Sequence, residues 1–534
     1  MSSKQTLPSR RGLLLGGGVL AGDTLLHASS KNSTGVAAEP AARRNIYESI
    51  GVRPLVNCKG TFTIITGSQT LPEVKQAMDA ASRNYVHLDE LMAAVGKRLA
   101  ELTQAEWGIV TAGCAAALTH ATAACIAGAN PERMQRLPDL TGLKSEVIMP
   151  KYSRNEYDHA VRMLGVKIIE VETAEQLRSA FNARTAMVLV LSCPAAETGP
   201  LSIPEVAKAA RQANVPMIVD AAAEYLTIPN IHLAHGATMV AYSGGKVLRG
   251  PQCAGLLLGP KDLLQAAWLN SAPHHAFGRS LKVGKEEIMG MLTAVECWVK
   301  RDLDAEWKLW QSWLDSIGAQ VTKVPGVTTT IRQPEDLSNH APNLVIHWDG
   351  KALGITGEEV QKLLLEGEPR IIVAGTTGDR RGDMVSSLTI MPYMMMPGDH
   401  EIAGRAIHAL LSKPPAMPAL APPASPAVDL SGVWEVQIAY TSGVANHHVE
   451  FEQKGAQLAG VHRGETLSGD LSGVVEGDAV RFQSSHHIEG TNLHYSFEGT
   501  ASGATMSGRV GLGEYGSAQW TAKRHVYRAK HANG

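Results

Sequence analysis

The sequence predicts an α/β fold over residues 45–412, followed by a small antiparallel β-barrel or sandwich over 428–528. Three observations carry this. From Asn45 to about Lys413, short apolar strand-like runs alternate with helix-like segments, the pattern of a largely parallel sheet covered by helices. A Pro/Ala-rich stretch, 413–427, then interrupts the chain as a stiff, semi-extended linker. Beyond it the pattern becomes strictly alternating, as in Val433-Trp434-Glu435-Val436-Gln437-Ile438 and Leu493-His494-Tyr495-Ser496-Phe497, with turns such as Gly469-Asp470 and Gly477-Asp478 at even spacing.

A chain of 534 residues is too long for one compact core. Its 49 Lys and Arg nearly balance 51 Asp and Glu, so charge makes no case for nucleic acid as a partner. Six cysteines (Cys58, Cys114, Cys125, Cys193, Cys253, Cys297) lie without any CxxC pair and read as small buried apolar residues, not as a zinc site or disulfide framework. At the N-terminus, Arg10-Arg11 precede a short Gly-rich apolar segment ending near Leu26, followed by Val36-Ala37-Ala38. That segment is too short and glycine-rich for a convincing membrane span, and residues 1–44 read as a twin-arginine export leader, with a disordered leader or a weak anchor as the alternative. Export by that route carries already folded proteins and implies a periplasmic location.

Within 45–317, the large domain, helices are expected at Pro72–Ala81 and His87–Leu102, where apolar residues recur at three- and four-residue spacing. Pro72 suits a first helical position. Gly108–Thr111 reads as a strand, then Ala115–Ile126 as a helix of small residues. Further strands fall at Val147–Met149, Val166–Ile169, Met187–Leu191 and Pro216–Val219, with Ile203–Ala213 a helix between the last two. Long helices are expected at Leu281–Val299 and Trp307–Ile317. Residues 318–412 form a smaller α/β lobe with helices at Thr356–Leu365 and His400–Leu411.

The chemistry centres on 240–255. Lys246 sits in a Gly-rich turn, three residues after Ser243, between two apolar runs. Flanking glycines allow close approach to the backbone, and an amine held there suits a Schiff-base lysine; a surface hairpin with an incidental lysine is the plain alternative. Upstream, a helix entered through Gly113-Cys114-Ala115 points free N–H groups and a positive dipole end outward, a seat for phosphate. An ordinary packed helix would look the same. Asp220 ends the run Val215–Val219, on the edge where α/β proteins bind ligands. A buried carboxylate there needs a cation such as a pyridinium nitrogen, unless it simply caps the next helix. Asp220 and Lys246 are one short helix and one strand apart, so both reach the same end of the sheet. Phosphate loop, aspartate, then Ser-x-x-Lys is the chain order of a fold-type I pyridoxal-phosphate (PLP) enzyme.

The runs Leu55–Thr61, Leu99–Thr103, Ala112–Ala117, Arg154–His159, Val219–Ala223, Tyr242–Lys246 and Gly250–Gln252 together resemble the selenocysteine-synthase-like group of these enzymes, which includes the seryl-tRNA selenium transferase and ammonia-lyases of amino-sugar acids such as glucosaminate 6-phosphate. The resemblance spans about 45–412. It implies the aspartate-aminotransferase-like PLP-dependent transferase fold, pyridoxal 5'-phosphate as cofactor and a homodimer or larger assembly. It further implies Lys246 as the aldimine lysine and Asp220 as partner of the pyridine nitrogen, with Ser243, Gly113, Cys114 and Ala115 around the phosphate. Where relatives place a ring-stacking residue, this chain offers Tyr152-Ser153. The tRNA-using relative has an RNA-binding N-terminal domain; here that position holds the leader, so charged tRNA is not expected as a substrate.

Arg249 and Arg370 suit a substrate carboxylate or phosphate, with solvated arginine the alternative. Tyr157 and His159 suit proton relay or packing. His447, His448, His486, His487 and His494 cluster in sequence, but adjacent pairs on a strand point to opposite faces, so no metal is expected. Met394-Met395-Met396 reads as packing. The expected activity is Cα–H abstraction and β-elimination on an amino-acid or amino-sugar-acid substrate, of ammonia-lyase type. Selenium or sulfur transfer, aminotransfer and racemisation are the enzymatic alternatives. An exported binding protein acting through its C-terminal β domain is the non-enzymatic one.

Overall fold

The computed structural model describes residues 45–417 and 424–526. The expected export leader, 1–44, lies outside the described residues, as does the middle of the linker. Residues up to Pro54 form a unit of their own, whose described part holds the 3-10 turn Glu48–Ile50.

The large domain is built on a seven-stranded sheet. Its strands are β1 (Trp107–Thr111), β2 (Glu146–Pro150), β3 (Lys167–Val171), β4 (Thr185–Leu191), β5 (Met217–Asp220), β6 (Met239–Ser243) and β7 (Gly255–Gly259). In space they run β1-β7-β6-β5-β4-β2-β3, with β7 antiparallel to both neighbours and the rest parallel. The central strands are covered on both faces, which is why they read as unbroken apolar runs such as Met-Val-Leu-Val-Leu. The helix Cys114–Ala127 is apolar all round and buried on nearly every side. Ends of β1, β2, β4, β5 and β6 therefore meet on one edge.

The smaller lobe has an antiparallel sheet of four strands, in the spatial order Gly375–Thr377, Val385–Ile390, Asn343–Asp349, Thr328–Arg332. It draws in residues from before position 318. Trp310, Trp313, Leu314 and Ile317 of the helix Leu303–Val321 belong to its core, as does Cys58. The strand Val56–Cys58 pairs in parallel with Ile371–Val373. The lobe is thus assembled from both sides of the large domain, a long-range pairing that local periodicity does not encode. Met394 and Met395 pack in this core.

Residues 432–524 close into an eight-stranded barrel: β8 (Gly432–Ala439), β9 (Val444–Lys454), β10 (Gln457–Arg463), β11 (Ser468–Glu476), β12 (Ala479–Ile488), β13 (Thr491–Ser502), β14 (Thr505–Gly511) and β15 (Ser517–Arg524). Each strand pairs with the next, and β8 with β15, so a barrel and not a sandwich forms and no edge is left open. Trp434, Phe451, Phe482, Phe497 and Trp520 fill the interior, with the Phe482 and Phe497 rings stacked at 4.3 Å, as an eight-stranded barrel permits.

Alternation splits the histidine pairs: His447 and His486 face inward, His448 and His487 outward. Inside they meet His462, which stands alone in sequence. His447 Nδ1 lies 2.8 Å from His462 Nε2, and His462 Nδ1 lies 2.7 Å from Ser484 Oγ. Burial, then His486 and His447, lowers the His462 pKa to about 3; burial also lowers His447 and His486. Native imidazoles thus bind fewer protons than unfolded ones. Their contribution to stability is complete above the ordinary histidine pKa and is lost as pH falls from there towards 3. Replacing His462 by Gln is expected to flatten that acid limb, read by near-UV circular dichroism across an acid titration.

Candidate functional site

Four strand ends build the site. At the end of β1, Gly113 takes φ 87° and opens the helix Cys114–Ala127 without a side-chain cap, leaving the first N–H groups of the helix free for an anion. A β-carbon on Gly113 would meet nothing within 4 Å, so the space before it is open. Behind it, β7 presses close: a β-carbon on Gly255 would lie 2.4 Å from the Gly113 carbonyl carbon. Gly255→Ala must push this loop forward, and is expected to weaken cofactor affinity about tenfold or more, measured by absorbance titration with pyridoxal phosphate.

Asp220 ends β5 and is 5 % exposed. Its Oδ1 accepts from the Ala222 N–H at 3.1 Å and from the Cys114 thiol at 3.5 Å. Burial raises the carboxyl pKa above its ordinary value, while Lys246 pulls it back down. Burial, with Asp220 second, holds the Cys114 thiol far up, so it stays protonated and acts as a donor. Cys114 therefore turns its side chain to Asp220, leaving only its main chain for the anion seat.

Lys246 follows β6 in a turn fixed by the main chain. Gly244 N–H binds Ala254 O at 2.8 Å, and Ser68 N–H binds Gly245 O at 2.9 Å. Gly245 packs so tightly on Gln252 that a β-carbon would lie 2.5 Å from its Cα, the close approach the glycines provide. Ser243, at the end of β6, binds Ala222 O through its N–H. Beneath these lies a buried layer that carried no sequence motif. Glu224, 1 % exposed, binds His232 Nε2 at 2.6 Å and the Ser192 hydroxyl, and Ser192 N–H binds Asp220 O at 3.0 Å.

Other sequence-predicted residues fall differently. Arg249 Nε donates to Gln69 O at 3.0 Å, and Arg370 Nε to Leu365 O at 3.1 Å. Neither is among the side chains gathered round Asp220. Tyr152 donates to Leu201 O at 2.6 Å and Ser153 Oγ accepts from Leu191 N–H. Ser153 also joins Asn155, Tyr157, Met149 and Asp220 in lining a narrow cleft, and Tyr152 does not. The irregular loop that carries them has no periodicity from which their direction could be read.

This arrangement fits pyridoxal phosphate: an uncapped helix entry for an anion, a buried carboxylate wanting a cation, and an amine whose charge acts on both Asp220 and Cys114. Comparison with known proteins bears on the same point. Residues 77–278 match the family model "Aminotransferase class-V". The chain is 30 % identical over 336 residues to the D-glucosaminate-6-phosphate ammonia lyase of Salmonella typhimurium (strain 14028s / SGSC 2262), a match covering 61 % of this chain and 88 % of the relative.

The chain belongs to the fold-type I PLP enzymes of the selenocysteine-synthase-like, ammonia-lyase-like group.

It is also 28 % identical over 379 residues to the 5'-C-glycyluridine monooxygenase-decarboxylase of a Streptomyces species, covering 68 % of this chain and 92 % of that one. A solved D-glucosaminate-6-phosphate ammonia-lyase superposes with TM-score 0.61 at 26 % identity, covering 69 % of this chain and 99 % of that structure. As a member of this group, the protein is a PLP-dependent lyase or transferase with the aspartate-aminotransferase-like fold and an added barrel. No helix among the described residues is long and apolar enough to cross a membrane.

Proposed function

We propose that this enzyme removes the α-proton of an amino acid or amino-sugar acid and eliminates its β-substituent, releasing ammonia and a keto acid. The observation that carries the reading is the buried Asp220 carboxylate, placed on the same sheet edge as Lys246 and drawn towards its charged form by it. Gly113, Cys114 and Ala115 N–H groups and the Ser243 hydroxyl would hold the phosphate, Asp220 the pyridine nitrogen, and Lys246 the carbonyl carbon. When bound, the cofactor supplies the electron sink that makes Cα–H acidic.

Lys246 Nζ would be the base that takes the α-proton of the bound substrate. Its turn is anchored through main-chain bonds at Gly244 and Gly245, so the amine moves about a rigid root. A β-hydroxyl would leave as water after protonation. Hydrolysis of the resulting enamine returns that water and frees ammonia, so the net change is substrate to keto acid plus ammonia. The ammonia lyase named above supports this substrate class.

The test is direct. Purified protein should be yellow, borohydride should fix the band on Lys246, and amino-sugar acids should release ammonia and a keto acid with no second substrate. A colourless protein that takes up no added pyridoxal phosphate would sink the reading. Similarity to the monooxygenase-decarboxylase favours a second reading, oxidative decarboxylation; product formation in anaerobic buffer without carbon dioxide excludes it. The reading also includes export through Arg10-Arg11 and a homodimer, checked by cell fractionation and by sedimentation.

A further inference from the structure

The loop after β2 lies between the buried carboxylate and the barrel. It runs through two 3-10 turns, Lys151–Ser153 and Glu156–Asp158. On one side Ser153, Asn155, Tyr157 and Asp158 share the narrow cleft with Asp220. Burial raises the Tyr157 phenol pKa, with Asp220 the next contributor and Glu514 of the barrel a smaller one. Its neighbour Glu156 shares a second pocket with Gly490 and Glu514 of the barrel.

The loop's other side is held by the β12–β13 turn. The Arg154 side chain, 7 % exposed, binds Asp158 at 2.7 Å, Glu170 at 2.6 Å, and Glu489 of that turn. Arg162 takes the other oxygen of Asp158 at 2.8 Å. A guanidinium so far removed from water depends on each of its carboxylates. Next in chain, Gly490 lies flush on the loop backbone. A β-carbon there would come within 2.3 Å of Asn155 O and 2.5 Å of Asn155 N, and its three nearest atoms all belong to Asn155. The need for glycine at 490 therefore comes from the loop, not from the barrel.

Connectivity makes the arrangement directional. Turns of an up-and-down barrel alternate between its ends, so 489–490 shares one end with 440–443, 464–467 and 512–516. The linker arrives at the opposite end, where Ala427 N–H binds Gly477 O at 2.8 Å. A barrel merely carried on a tether would not need its far end seated on the loop beside Asp220.

We propose that the barrel is a working part of the active site, its Glu489-Gly490 turn positioning the 151–158 loop against Asp220 and so setting cofactor affinity and substrate fit. The proposal rests on the PLP reading of Asp220 and Lys246 given above. Glu489 and Gly490 act through the loop and are positioning residues. Errors of a fraction of an ångström at such a loop are enough to change binding and rate.

The test uses the full chain with Gly490→Ala, Glu489→Gln, and Lys454→Ala, which alters an exposed residue at the barrel's opposite end. Pyridoxal phosphate is the probe, read by affinity and by the position of its visible band, beside a thermal melt. Gly490→Ala is expected to weaken affinity about tenfold and shift the band; Glu489→Gln about threefold, with Lys454→Ala unchanged and all melts alike. Wild-type affinity and band in both turn variants would overturn the proposal, and so would an equal loss in Lys454→Ala. Failure of the wild-type chain itself to bind the probe would instead strike the PLP reading, and this proposal with it.

Discussion

Replacing Lys246 by alanine is expected to lower turnover on the order of a thousand-fold or more, since the proposed function makes it both the base and the covalent anchor. Fold and cofactor uptake should survive. The turn is held by main-chain bonds at Gly244, Gly245 and Gly250, and the Lys246 side chain takes no part in them. The variant is therefore expected to bind pyridoxal phosphate with a displaced absorbance maximum and to lose all borohydride-fixed label. Added methylamine should restore part of the turnover, since a free amine can replace the base but not its placement. Full activity with alanine at 246 would remove the enzyme assignment from this turn.

Asp220→Asn is expected to act in opposite directions on the free protein and on the enzyme. In the free protein, burial raises the carboxyl pKa above its unfolded value. The native state then holds the proton more tightly than the unfolded chain, so stability is lost as pH rises from the ordinary aspartate pKa through the raised one. An amide carries no such penalty. Free Asp220→Asn should melt higher than wild type at neutral pH, with the gap closing in acid. Turnover, however, should fall about a hundred- to a thousand-fold, the scale for removing one preorganised electrostatic partner. Melts at two pH values together with turnover give both signs in one variant. A variant less stable than wild type at neutral pH would mean that Asp220 is charged and well paired without the cofactor.

The contrast between Asp220 and Arg249 shows what the sequence makes legible. Asp220 ends an apolar run, and Lys246 follows another; strand ends on a parallel sheet have a fixed destination, so both positions follow from pattern. Arg249 is only three residues beyond Lys246, yet it takes φ 52° and turns its guanidinium to Gln69 O. No periodicity describes such a turn. His462 escaped notice because it has no histidine neighbour along the chain; only the antiparallel pairing of β9 with β10 brings it to His447. The helix predicted from Leu281 begins instead at Lys285, after Gly284, because Val283 before it is buried without being helical. Likewise the helix predicted to start at Trp307 begins at Leu303, capped by the Asp302 side chain on Ala305 N–H.

The pairing of Val56 with Ile371 has a consequence for how this protein is made. The small lobe takes its first strand from before the large domain and its other strands from after it, so it stays incomplete while residues beyond 371 are still inside the ribosome. The anion seat at Gly113 waits in the same way for its backing strand at Gly255. A nascent chain that has passed Lys246 but not yet placed the Gly255 strand would therefore carry Asp220 and Lys246 without the backing of the Gly113 loop.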